Sequence, residues 1–187
     1  MLAEFRNEPV IDYGRAENVP RMQEALKFVT ARLGQTYPLV IGGERVETAE
    51  KIKSYNPSNL DEVVGYASRA DQSHAERALQ TAAKAFESWK RVSPVERSRY
   101  LAKAAAIMRR RRLELVAWTV LEAGKTWPEA DADVAEAIDF LEFYAREMVR
   151  LGAWQPLTRL VGEENELLYT PLGVGVVIPP GTSRWRF

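Results

Sequence analysis

From residue 73 to residue 151 the chain reads as helix almost without a break, and strand-like segments stand on both sides of that block. No other feature restricts the fold as much, because amphipathic helices must lay their apolar stripes on something. The helix boundaries are written in capping residues. Ser73-x-x-Glu76 reads as a capping box, and Ser93-Pro94-Val95-Glu96 as a better one, with proline in the first turn. Gly124 closes a helix at "LEAGK", Pro128 and Glu129 open the last long one, and Gly152 is its expected C-cap. Along that last helix Val134, Ile138, Leu141, Ala145 and Met148 form a core-facing stripe. Glu129, Asp131, Asp133, Asp139 and Glu142 lie mostly off it.

Residues 19–34 make a first helix, opened by Pro20 and stopped by Gly34, with Met22, Leu26, Val29 and Leu33 on one stripe. "YPLVIGGERVET" follows as two short strands around Gly42-Gly43, a dipeptide that accepts positive φ and so marks a hairpin turn. A third strand, "EVVGYAS" at 62–68, comes after the loop "NPSNLD". Beyond Gly152, "WQPLTRLVGEENELLYTPLG" holds two extended pieces around the turn "GEEN". Val174 to Ile178 then read as a buried strand, bounded by Gly173 and by Pro179-Pro180. The fold class is therefore α/β, mostly helical as it stands, with an incomplete sheet. On this reading the helices of 73–151 present their stripes to a sheet that is missing, and the strand at 174–178 lacks most of its neighbours. Aggregation or a molten helical state is the expected consequence.

Composition narrows the chemistry. Lys+Arg and Asp+Glu balance at 26 each, so nothing points to nucleic acid or to an anionic membrane. "RRRR" at 109–112 wraps the whole circumference of a helix and so forms no single basic face; it is expected to be a solvated helix end. No apolar run approaches the roughly 20 residues that span a bilayer, and "MLAEFRNEPV" lacks the apolar stretch of a secretory signal, so a cytoplasmic location is expected. Cys 0 excludes a thiolate nucleophile, a thiolate metal site and a disulfide in this chain. The single histidine, His74, builds neither a zinc site nor a Ser-His pair alone and is expected on the surface. Gly173-x-Gly175 precedes a strand instead of following one, so it is no dinucleotide fingerprint. Glu136 is the acid of most interest, since helical spacing sets it near Phe140 and Phe143. A solvated helix face is the competing reading of the same spacing.

Several stretches together resemble the N-terminal part of the aldehyde dehydrogenases: "FRNEPV", "YPLVIGGERVET", "YNPSNLDEVVG", "AAKAFESWKRVSPVERSRYLAKAAAIMRRRR", "LEAGKTWPEADADVAEAIDFLEFYA" and "YTPLGVGVVIPP". "EAGKTWPEADADVAEAIDF" and "FRNEP" are similar, more narrowly, to the branch that oxidises glutamate γ-semialdehyde, the 1-pyrroline-5-carboxylate dehydrogenases of proline degradation. The resemblance implies a longer protein with a Rossmann-like NAD domain, a catalytic domain and an oligomerisation hairpin, acting on a small aldehyde as a homo-oligomer. It divides the chain into 1–151, the helical and strand part of the NAD domain; 152–170, part of the hairpin; 171–180, the first strand toward the NAD site; and 181–187, a tail of another kind. It implies that Glu136 lines the aldehyde pocket and that the backbone of Ile178, Pro179 and Pro180 lines the NAD site. No catalytic or metal-ligating residue carries over.

The family continues this last strand as "PPWNFP", and the sequence departs from that at residue 181. Codons TGG-AAC-TTC-CCG-CTG-GCG-ATT, followed by T or C and read without their first T, translate as Gly-Thr-Ser-Arg-Trp-Arg-Phe, which is the tail "GTSRWRF". A frameshift after Pro180 is the expectation. By the resemblance, a cysteine attacks the aldehyde, hydride passes to NAD and a glutamate-activated water releases the acid, with an asparagine holding the oxyanion. That cysteine, base and asparagine are absent, so the chain is expected to be inactive alone. Half of a split enzyme and a non-enzymatic helical interaction module are the alternatives.

Overall fold

The structure is a computed structural model and describes residues 3–178. The first ordered element is α1 (Asn18–Thr30). After it Gly34, at φ 75, donates its N–H to the Val64 carbonyl at 3.1 Å and swings the chain into β1 (Gln35–Tyr37). A positive φ of this kind is open to glycine without steric cost. The strands β2 (Leu39–Ile41) and β3 (Glu44–Val46) form the expected antiparallel hairpin, with Leu39 opposite Val46 and Gly42 and Gly43 both at positive φ.

The main sheet has three strands in the order β1-β5-β4. Its centre is β5 (Asn59–Ser68), parallel to β1 and antiparallel to β4 (Lys51–Asn56), with the β4 register shifting around Ser54 and Tyr55. The sequence reading included β5 and missed β4. "KIKSYN" interleaves lysines with single apolar residues, so it offers no apolar run, and its strand state comes from pairing with β5.

The remaining elements are helices. The helices α2 (Gln72–Trp89), α3 (Pro94–Arg110), α4 (Arg112–Ala123) and α5 (Trp127–Leu151) follow one another closely. Met22 and Val29 of α1, Ala105 of α3, Val116 and Ala117 of α4, and Val134 and Ile138 of α5 are buried together. The stripes thus pack on one another, which corrects the expectation that they all wait for a missing sheet. Small residues make this possible: Ala105, Ala117, Ala130 and Ala145 are fully buried and let the helix axes approach. At one end of the α3–α5 pair, a Cβ on Gly152 would stand 2.3 Å from Pro94 Cγ, so only glycine fits. The helix α2 is the exception. It buries none of its residues and leaves Leu79 exposed.

Caps behave largely as read. Ser93 accepts from the Glu96 N–H, Gly124 ends α4 at φ 65, and Thr126 and Glu129 cap α5 reciprocally. Ser73 does not cap α2; Asp71 does, accepting from the His74 N–H at 3.0 Å while the His74 ring faces the Asp71 carboxylate. Its short side chain starts the helix two residues earlier than the Ser73-x-x-Glu76 pattern suggested.

Beyond Gly152 the chain runs extended, and every residue from Pro156 to Ile178 is exposed. A turn closes at Glu163 N–H to Leu160 carbonyl, 3.2 Å, with Gly162 at φ 82. The buried strand expected at Val174–Ile178 is not formed among the described residues. The segment is extended and apolar, but no strand lies beside it to take its backbone hydrogen bonds, and strand assignment requires that pairing.

Candidate functional site

The helix α5 has three faces with three different tasks. Val134, Ile138, Leu141 and Ala145 point into the core. Asp131, Asp139 and Arg146 hold the N-terminal arm, residues 3–13, and Glu142 backs it through Arg109 and Arg146. The third face carries Asp133, Glu136, Phe140 and Tyr144 at i, i+3, i+7 and i+11; Tyr144 is exposed and the other three are half-buried.

The arm is fixed by charge. Asp131 is fully buried and accepts from Arg112 Nε at 2.7 Å and from the second guanidinium nitrogen at 2.8 Å, and also from the Ile11 N–H at 2.7 Å. The Arg112 guanidinium donates as well to the Pro9 carbonyl, at 2.8 Å. Arg109 bridges Glu8 at 2.7 Å and Glu142 at 2.6 Å. Asn7 and the Glu8 N–H both donate to Asp139, at 2.8 and 2.6 Å. These contacts correct the reading of "RRRR" as a solvated helix end and of Asp131 as off the core. Two of the four arginines are internal ties, because the helix breaks at Arg111 (φ −100, ψ 14) and α4 turns Arg112 inward. No sequence signal marks that break.

Electrostatics follow the geometry. Burial tends to raise the Glu142 carboxyl, but hydrogen bonds from Arg146 and Arg109 outweigh it and hold the group below its ordinary value. Burial, reinforced by the Asp131 charge, pushes the Tyr13 hydroxyl up to about 12. On the third face Asp133 is tied to Lys125. Glu136, half-buried, sits one turn before Phe140. Phe140 stacks on Tyr144 at 6.0 Å and 15°, and Tyr144 meets Phe143 edge-on at 5.5 Å. An acid beside aromatic rings is a combination that suits a polar group joined to an apolar stem.

The other residues singled out from the sequence do not join it. Ile178 is 85% exposed on the extended segment, and Pro179 and Pro180 lie outside the described residues. Among the described residues no strand pairs with the segment that carries Ile178. Among them, too, no group of three or more His, Cys, Asp or Glu side chains is arranged to hold a metal. A separate groove of about 670 Å³ lies between α4 and the main sheet, with Tyr37, Tyr66 and Trp118 in its walls and Ser54 donating to Glu122 at 2.9 Å. Sequence spacing gave no hint of that groove, since its walls come from segments far apart in the chain. No helix among the described residues is long and apolar enough to cross a membrane.

Comparison with known proteins agrees with this architecture. The family model "Aldehyde dehydrogenase family" matches residues 45–180. The 1-pyrroline-5-carboxylate dehydrogenase of Bacillus pumilus is 51% identical over 187 residues, which is 100% of this chain and 36% of that protein. The 1-pyrroline-5-carboxylate dehydrogenase 2 of Bacillus subtilis is 52% identical over the same span. The structure superposes on a 1-pyrroline-5-carboxylate dehydrogenase from Thermus with bound NAD at a TM-score of 0.93, with 49% identity, covering 98% of this chain and 36% of that one. On proline utilization A from Bdellovibrio bacteriovorus the TM-score is 0.81, with 37% identity over 84% of this chain and 16% of that one. The chain belongs to the aldehyde dehydrogenase family and spans about a third of the length (36%) of the curated relatives it matches.

Proposed function

We propose that this chain is the N-terminal portion of an NAD-dependent dehydrogenase that oxidises glutamate γ-semialdehyde to glutamate in proline degradation. The observation that carries the reading is about 50% identity over the full chain to 1-pyrroline-5-carboxylate dehydrogenases, together with the 0.93 superposition on the NAD-bound one. In this reading the Glu136 face of α5 is one wall of the aldehyde pocket. The carboxylate orients the polar end of the substrate, and Phe140 and Tyr144 shelter its methylene stem. Residues 152–170 belong to an oligomerisation hairpin of a homo-oligomer, and 171–180 to the first strand approaching the cofactor, with Ile178, Pro179 and Pro180 beside it. NAD, when bound to the intact enzyme, accepts the hydride.

Oxidation of an aldehyde to an acid needs a nucleophile to form the adduct from which hydride leaves. This chain has Cys 0 and so does not supply the family's thiolate. By itself it is inactive. The family match ends at Pro180, where the sequence leaves the family motif, and this supports a shift of reading frame at codon 181. A cytoplasmic location fits an enzyme of this class.

Reading the DNA through codons 178–187 and several hundred bases beyond tests the proposal. Restoring one base near codon 180 is expected to give "PPWNFP" and an open frame that reaches a cysteine-bearing domain. Codons that do not shift into that motif would count against it, and would favour the second reading, a non-enzymatic helical module. The closed core of α1, α3, α4 and α5 is what recommends that second reading.

A further inference from the structure

The N-terminal arm touches the aromatic ladder as well as the charged face of α5. Phe5 packs edge-on against Phe143, centroid to centroid 5.7 Å at 79°. Phe143 meets Tyr144 at 5.5 Å, and Tyr144 stacks on Phe140 at 6.0 Å, one turn from Glu136. Arg146 also sits over the Phe5 ring at 6.0 Å and donates from Nε to the Ala3 carbonyl at 2.8 Å, so Phe5 has two neighbours on α5. Phe143 and Tyr144 are 43% and 54% exposed. Half-exposed rings on a helix choose among rotamers freely unless a neighbour fixes one. Phe5 reaches this ladder from outside α5.

We propose that Phe5 is a positioning residue for the Glu136 face: the arm holds Phe143, and through it Tyr144 and Phe140, in the rotamers that shape the wall beside the carboxylate. The arm is suited to this because its other anchors, Asn7 and Glu8 on Asp139 and Pro9 on Arg112, are independent of the rings. Edge-on and stacked ring contacts are directional, so losing one frees the next. That the wall contacts substrate rests on the function proposed above; that the arm sets the wall does not.

The experiment is NMR on the full chain with labelled aromatic and glutamate side chains. Phe5→Ala is expected to move the Tyr144 and Phe140 ring resonances toward averaged values and to shift the Glu136 γ-methylene signal, one turn from the Phe140 ring. The amide pattern of the core helices stays unchanged. Phe5→Tyr, which keeps the edge contact, restores all three signals. Should Phe5→Ala lose its helical signal, Asn7→Ala decides the matter: it loosens the arm without removing a ring and is expected to give the same shifts at smaller amplitude. The proposal is overturned if the Tyr144, Phe140 and Glu136 signals stay in place in Phe5→Ala, or if a folded Asn7→Ala leaves them untouched after Phe5→Ala has unfolded. Neither result bears on whether Glu136 meets an aldehyde, which an activity measurement decides.

Discussion

Asp131 shows what one residue does in this chain. It lies on the long acidic helix among Glu129, Asp133, Asp139 and Glu142, and it is the one of these that is fully buried, between Arg112 and the Ile11 N–H. Removing one member of a buried pair leaves the other charge unpaired, at a cost of roughly 3–5 kcal/mol. Asp131→Ala is therefore expected to lower the denaturant midpoint strongly. The double change Asp131→Leu with Arg112→Met is expected to recover much of that loss, and equilibrium unfolding of the two variants checks both. Asp71 acts in the opposite setting, on the surface. The Ser73 hydroxyl, then the His74 N–H and ring, hold its carboxyl well below the usual aspartate range. A depressed folded value means that the cap is intact above the range in which a free aspartate titrates. It is lost as pH falls through the lower folded value. Protection of the His74 amide, taken relative to its intrinsic exchange rate, is expected to fall in acid, and Asp71→Ala to abolish it at every pH.

Elements differ in what fixes them. The β2–β3 hairpin and the ends of α4 and α5 were legible because glycines, prolines and capping residues act locally. The strand β4 was not, because its state comes from β5, and neither was the break at Arg111, because no local residue signals it and its partners Glu8 and Asp131 lie far away in the chain. The strand read at 174–178 had the right composition and no partner. Glu136 was legible as a candidate from spacing to Phe140, while its ladder needed Tyr144 and Phe5, a partner 131 residues away from Glu136 that no periodicity reaches. The α3–α5 contact makes a prediction at this scale. Gly152→Ala puts a Cβ 2.3 and 2.4 Å from two Pro94 carbons, so the helix ends must separate. A loss of about 1–3 kcal/mol in thermal or denaturant unfolding is expected.

At the scale of the molecule, two regions stand in contrast. The four-helix core closes on itself, whereas α2 buries nothing and the segment from Pro156 onward exposes Leu160, Val161, Leu168, Leu172, Val176, Val177 and Ile178. Exposed apolar surface of that extent binds hydrophobic dyes and associates. Ending the chain at Gln155 is expected to reduce dye binding and light scattering while leaving the unfolding midpoint in place, since none of the removed described residues is part of the core. A drop in midpoint would mean that they do pack.

The central claim is that residues 1–180 form the front of an aldehyde-oxidising enzyme with Glu136 in its substrate wall. Joining residues 1–180 to the remainder of the Bacillus subtilis relative, and assaying NAD-dependent oxidation of glutamate γ-semialdehyde, tests it most directly. The chimera is expected to be active. Its Glu136→Gln variant is expected to lose kcat/KM by about 10- to 100-fold, the worth of a hydrogen bond to a charged group, with the fold unchanged. A folded, NAD-binding chimera without activity, or an active one indifferent to Glu136→Gln, would contradict the claim.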